Sequence, residues 1–130
     1  MIKKAHKSAA QAQKKAYAPY SQFKVGAAIT SGAALFTGCN VENASYGGTV
    51  CAERVAIWTA VAAGTKSFDN VVVVTDSEVP APPCGFCLQV MAEFCKPATR
   101  VWLANPKEIL KVYELRELLP KPFGPDFLDD

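Results

Sequence analysis

Cys51-Ala52-Glu53-Arg54-Val55-Ala56-Ile57-Trp58-Thr59-Ala60-Val61-Ala62-Ala63 runs up to Gly64, and Val71-Val72-Val73-Val74 follows it shortly after. The first stretch reads as a helix that is apolar nearly all round. Such a helix is buried, between a sheet and something else. Gly64 is a suitable stop. The valine run is short, continuous and β-branched, as expected of a strand covered on both faces. Pro80, Pro82 and Pro83 then break regular structure, and Pro83 sits where a second helix could begin. Phe86 to Phe94 reads as that helix, with Cys87, Val90, Met91 and Phe94 on one side. Val101 to Ala104 reads as another buried strand. Helices alternating with buried strands predict an α/β sandwich around a mixed sheet.

Upstream, Ile2, Ala5, Ala9, Ala12 and Ala16 follow helical spacing, with Lys3, Lys4, Lys7, Lys14 and Lys15 around them. The lysine-rich side reads as a solvated face, with phosphate binding as the alternative. This helix is expected to end near Tyr17, because Pro19 disfavours helix before it. Phe23 to Ile29 and Ala34 to Cys39 read as two strands of a hairpin joined through Ser31-Gly32. Asn40-Val41-Glu42-Asn43 reads as extended, which points Asn40 and Glu42 to one face and Val41 to the other. Tyr113 to Leu119 reads as a short helix. No repeat, low-complexity tract or linker interrupts the chain, so one domain is expected over residues 1–130.

The chain has 130 residues, half of them hydrophobic and a fifth charged, as in an ordinary globular protein. A net charge of +2 offers no electrostatic case for nucleic acid. No apolar run approaches the roughly 20 residues that span a bilayer. The charged start, Met1-Ile2-Lys3-Lys4, lacks a following apolar region, so no signal peptide and a cytoplasmic location are expected. Five cysteines, an odd number, argue against a disulfide framework. Cys39 and Cys95 read as small buried hydrophobes. Asp126, Asp129 and Asp130 read as a solvated acidic tail.

Cys51, Cys84 and Cys87 are the candidate metal ligands. Cys84 lies 33 residues after Cys51, and Cys87 follows a helical turn later. That turn lets two sulfurs converge on one ion, and both cysteine segments fall at expected helix starts, where unpaired N–H groups and the helix dipole stabilise thiolates. Three thiolates hold zinc and leave its fourth position for water, whereas a structural site closes that position with another Cys or a His. Glu53 is the candidate proton carrier. Taken alone, service to the helix dipole would be the better reading; beside the cysteine set, catalysis is favoured. Zinc with three thiolates is net negative and a weaker Lewis acid. Arg54 is placed to offset this by donating to the ligand sulfurs, with a surface ion pair as the plainer alternative.

With these residues in view, the chain resembles the cytidine deaminases of the small homotetrameric class. The match runs from Ala16-Tyr17-Ala18-Pro19-Tyr20-Ser21, through Cys51-Ala52-Glu53 and Pro83-Cys84-Gly85-Phe86-Cys87, to Leu118-Leu119-Pro120. Zinc deaminases pair such a P-C-x-x-C half with a glutamate that is not a ligand. The resemblance implies a three-layer α/β/α sandwich with a mixed five-stranded sheet and one zinc ion per subunit. It implies conversion of cytidine and deoxycytidine to uridine and deoxyuridine with release of ammonia, a pyrimidine-salvage activity. In that scheme a zinc-activated water attacks C4, and Glu53 protonates N3 and then serves the departing amine. The Ala52 backbone binds the pyrimidine edge, Asn40 and Glu42 hold ribose hydroxyls, and Phe23 lines the pyrimidine and ribose pocket. Phe123 reaches the active site of a neighbouring subunit, and Tyr46 lies at a subunit contact. The resemblance thus implies a homotetramer with shared sites, acting on a small nucleoside. Without it, Phe23, Phe123 and Tyr46 could equally be core residues.

Two departures stand out. Leu88 replaces the arginine of the usual P-C-G-x-C-R-Q pattern, which removes an expected subunit or supporting contact. Gly47-Gly48-Thr49-Val50, leading into Cys51, is richer in glycine than usual. Three rivals share some of the same residues. A deaminase of another cytosine nucleoside such as blasticidin S would keep the zinc chemistry, but Asn40 and Glu42 favour a sugar with free hydroxyls. A polynucleotide deaminase needs a basic channel. A closed zinc module needs a fourth ligand, and the only histidine, His6, lies far away in the chain.

Overall fold

Alternate residues along Gly26–Ser31 (β1) and Asn70–Val74 (β3) face opposite ways, and this alternation sets the layering of the molecule. The computed structural model describes residues 1–128, so Asp129 and Asp130 of the expected acidic tail lie outside the described residues. Five strands form one sheet in the order β2-β1-β3-β4-β5, where β2 is Ala34–Cys39, β4 is Arg100–Ala104 and β5 is Ile109–Glu114. The hairpin β1–β2 is antiparallel, with Ile29 opposite Phe36. β3 runs antiparallel to β1, with Val71 opposite Ile29, and parallel to β4, with Val71 opposite Val101. β5 closes the sheet antiparallel to β4. The sheet is therefore mixed and five-stranded.

Ala27, Ile29, Val71, Val73, Val101 and Leu103 share one face. Two helices cover that face, Ala52–Ala62 (α2) through Ala52, Ala56, Ile57 and Ala60, and Gly85–Phe94 (α3) through Cys87 and Met91. Ala28, Val72, Val74 and Ala104 form the other face, covered by Ala5 and Ala9 of the N-terminal helix Ile2–Gln13 (α1). The result is a three-layer α/β/α sandwich. Close approach depends on two glycines. A Cβ on Gly38 would stand 2.5 Å from the Ala56 backbone nitrogen, and one on Gly26 would stand 2.0 Å from the Ala9 carbonyl oxygen. Both helices lie against the sheet only because these positions carry no side chain.

Four local expectations need correction. α1 ends at Gln13 rather than near Tyr17. Tyr17 leaves the helix to pair with the segment after β2, its N–H donating to the Asn40 carbonyl at 3.0 Å while Glu42 N–H donates back to Tyr17 at 2.8 Å. β1 begins at Gly26 rather than Phe23. Gln22 takes a left-handed conformation, φ 59°, and the Asn40 side chain binds Val25 N–H and the Phe23 carbonyl in place of a strand partner. Tyr113 and Glu114 belong to β5, a half-buried edge strand whose charges hid it. The last α-helix, α4, is only Leu115–Leu118, started by a reciprocal cap in which Glu114 N–H donates to Glu117 at 2.9 Å. Finally, α2 is covered on its sheet side alone. Trp58 on the outer side is 50% exposed, because a chain of this length supplies no fourth layer.

Candidate active site

Cys51 is the N-cap of α2 and Cys84 the N-cap of α3. Cys87 lies in the first turn of α3 and is fully buried. Both helices start at the same end of the sheet face they cover, so their unpaired first-turn N–H groups and positive dipole ends converge on the thiols. Cys51 Sγ lies 3.7 Å from Cys84 Sγ, which lies 3.5 Å from Cys87 Sγ. Sulfurs bound tetrahedrally at ~2.3 Å from one ion stand about 3.8 Å apart. The three thiols therefore fit a zinc ion as they stand, and all lie within 4.8 Å of one another. Among the described residues no fourth ligand joins them.

Electrostatics single out Cys51 as the ionised thiol of the trio. Hydrogen bonding with Cys87 lowers the Cys51 pKa most; burial opposes this, Arg54 and Cys84 lower it further, and the thiol settles at about 5. Cys87 is pushed up because it supplies the proton of that pair and is itself buried. Arg54, one turn into α2, points Nη2 at Cys51 Sγ from 3.5 Å. Its guanidinium also lies between the rings of Trp58, at 5.9 Å, and Phe86, at 5.4 Å. Cys39 and Cys95 stand apart from the trio, and burial raises both thiols.

Glu53 is 4% exposed, and its residual surface opens on the cleft beside Cys51 and Cys84. Burial raises its carboxyl to about 7, with the Cys51 charge adding to the effect. An acid that titrates near neutrality both gives and takes protons readily. The cleft has a volume of about 290 Å³. Phe23 and Val25 form one wall, Asn40 and Glu42 a polar corner, and Val73, Ala81 and Pro82 further apolar lining.

Asn40 and Glu42 do share a face: both are buried while Val41 is exposed. Val41 is held extended by bridges to Tyr17 and Val50. Phe23 lines the cleft and is 45% exposed. Ala52 is buried in the first turn of α2. Phe123 does not enter the cleft of its own chain. It is 56% exposed, stacks on Phe127, and is tethered where Gln89 Nε2 donates to its carbonyl at 2.8 Å. Tyr46 is also exposed and meets Tyr20 edge-on. Leu88 packs against the core on the sheet face of α3. Sequence reading missed Thr49 and Thr75 as lining residues, and Ser21 as a partner of Glu42. Nothing local marks the two threonines. Ser21 was visible only as part of a motif.

Three thiols set for zinc beside a carboxyl that is not a ligand, on an α/β/α sandwich, place this molecule among the zinc-dependent deaminases. The family model for the cytidine and deoxycytidylate deaminase zinc-binding region matches residues 1–104, and the chain belongs to that family. It is 44% identical over 125 residues to a cytidine deaminase of Halalkalibacterium halodurans, covering 95% of each chain. A cytidine deaminase of Sporosarcina psychrophila is also 44% identical, over 91% of this chain and 88% of the relative. The crystal structure of a cytidine deaminase from Burkholderia pseudomallei superposes with a TM-score of 0.89 at 45% identity, covering 95% of this chain and 99% of the other. Among the described residues no helix is long and apolar enough to cross a membrane.

Proposed function

We propose that residues 1–130 form a single deaminase domain that hydrolyses cytidine and deoxycytidine to uridine and deoxyuridine with release of ammonia. The C4–N4 bond breaks, a C4–O bond forms with oxygen from water, and the displaced nitrogen leaves as ammonia. The observation that carries this reading is the placement of Glu53. It is a buried carboxyl, outside the thiol trio, that opens on the same cleft as Cys51 and Cys84.

Cys51, Cys84 and Cys87 would hold the zinc ion. When bound there, zinc lowers the pKa of water and supplies a nucleophile at neutral pH. Glu53 takes one proton from the attacking water and gives it to ring N3, then takes the second from the new C4 hydroxyl and gives it to the exocyclic nitrogen, which leaves as ammonia. The Ala52 backbone, in the first turn of α2, meets the pyrimidine edge. Phe23 packs on the base and sugar. Asn40 has two side-chain bonds committed internally, to Val25 N–H at 2.8 Å and to the Phe23 carbonyl at 2.8 Å. One N–H donor and one lone pair therefore remain for a sugar hydroxyl. Arg54 supports Cys51 from behind.

A homotetramer with shared sites fits the outer surface. Trp58, Phe86, Tyr46, Phe123 and Phe127 are all exposed aromatics. A second copy would cover the outer side of α2 and receive Phe123 in its cleft. The five free thiols suit the cytoplasm. The test is a spectrophotometric assay of zinc-loaded protein with cytidine. Loss of cytidine absorbance with equimolar ammonia supports the reading. Folded, zinc-replete protein without turnover overturns it.

A further inference from the structure

The loop Ala18–Phe23 does more than border the cleft. Glu42 Oε1 accepts from the backbone N–H groups of Tyr20, at 3.0 Å, and Ser21, at 3.1 Å. Its Oε2 accepts from the Ser21 hydroxyl. That same hydroxyl oxygen accepts from Phe23 N–H at 3.0 Å. Ser21 Oγ therefore ties a polar residue of the cleft to its aromatic wall. Gln22, between Ser21 and Phe23, takes the left-handed conformation at φ 59°, a strained choice for a residue with a Cβ. The turn persists because the Ser21 and Glu42 bonds hold it.

A carboxylate has about four acceptor sites. Three are filled by this loop, which leaves one facing the cleft. We propose that Ser21 is a positioning residue for sugar recognition. It fixes Glu42 as an ionised acceptor with a single vacancy, shaped for one hydroxyl donor of a nucleoside sugar, and it sets Phe23 against the same sugar. This rests on the nucleoside reading of the cleft and extends it to a residue that need not touch the substrate. Glu42 turns no rotamer and sheds no competing donor when the nucleoside arrives, so the hydroxyl meets a preorganised partner.

The test compares zinc-loaded wild type, Ser21→Ala, Ser21→Thr and Ser21→Cys on cytidine and on 2′,3′-dideoxycytidine, which lacks the 2′- and 3′-hydroxyls of the sugar ring and keeps only the 5′-hydroxyl. Ser21→Ala should lower the preference for cytidine, measured as the ratio of kcat/KM values, by about tenfold, the effect of one hydrogen bond to a charged group. The loss should fall on KM for cytidine rather than on kcat. Ser21→Thr, which keeps the hydroxyl, should restore the ratio. Should Ser21→Ala fail to fold, Ser21→Cys retains the volume with a weak donor and should show the same fall. In a Glu42→Gln background, Ser21→Ala should change the ratio no further. Equal losses on both nucleosides, an unchanged ratio, or a persisting effect in the Glu42→Gln background would each overturn the proposal while leaving the deaminase reading standing. Wild-type protein that turns over neither nucleoside sinks both.

Discussion

Arg54 Nη2 and Cys51 Sγ stand 3.5 Å apart across the first turn of α2. The helix thus supplies a thiol at its N-cap and, one turn on, a cation that adds to the stabilisation Cys87 gives that thiol when ionised. Arg54→Ala should weaken zinc binding by about tenfold, the lower end of the effect of removing a partner that orients a metal ligand. Competition with a chromogenic chelator measures this. Arg54→Lys should recover only part of the loss, because an ammonium lacks the planar fork that reaches sulfur while stacking between Trp58 and Phe86. Full recovery by lysine would reduce the role of Arg54 to its charge.

Glu53→Gln should keep zinc and fold yet lower kcat by about a hundredfold or more, the usual contribution of a positioned acid–base group. Metal analysis alongside steady-state kinetics separates the two effects. Loss of zinc in step with activity would instead make Glu53 a ligand or a structural residue.

Cys84→Ala removes a sulfur that stands 3.7 Å from Cys51 Sγ and 3.5 Å from Cys87 Sγ. The protein should purify without stoichiometric zinc and melt at a lower temperature, since metal binding and folding are linked. Chelation of wild-type zinc should lower its melting temperature in the same direction. A zinc-replete, active Cys84→Ala would remove Cys84 from the ligand set.

Glu42 carries a linked pH signature. Hydrogen bonds from the Ser21 hydroxyl and backbone hold its pKa below the ordinary 4.5. A carboxyl depressed by folding adds stability above its unfolded pKa, and that stability is lost as pH falls through the folded value. Urea unfolding below pH 4.5 should therefore show a slope that Glu42→Gln flattens, while the same comparison near pH 7 shows only a constant offset. Parallel curves across the acid range would mean that Glu42 is not held this way.

Gly38→Val should destabilise by about 3 kcal/mol or more, the upper range for overpacking, because its Cβ would meet the α2 backbone rather than a flexible side-chain tip. Urea midpoints at constant slope report this. A neutral result would mean that α2 slides along the sheet at little cost.

Much of the site was legible because its signals are local. The thiol spacing, the proline before Cys84 and the apolar run after Cys51 each depend on neighbours in the chain. The extended Asn40-Val41-Glu42 segment was legible for the same reason, through the period of two. β5 was not: Lys111 and Glu114 broke its pattern, and pairing with β4 decided its conformation. The first helix is shorter than its sequence pattern, which continues to Ala16, because Tyr17 is taken up by a bridge to Val41.

The sequence by itself determined the chemistry of this protein. Three thiols at two helix starts, and a glutamate two residues past an N-cap, are fixed by order along the chain. Tertiary structure decided what those groups face. α2 and α3 start together only because both pack on the face built by Ala27, Ile29, Val71, Val73, Val101 and Leu103. Packing there buries Glu53, raises its carboxyl toward neutrality and turns it to the cleft. Folding also brings Ser21 to Glu42 across 21 residues of chain, a contact that no local propensity encodes.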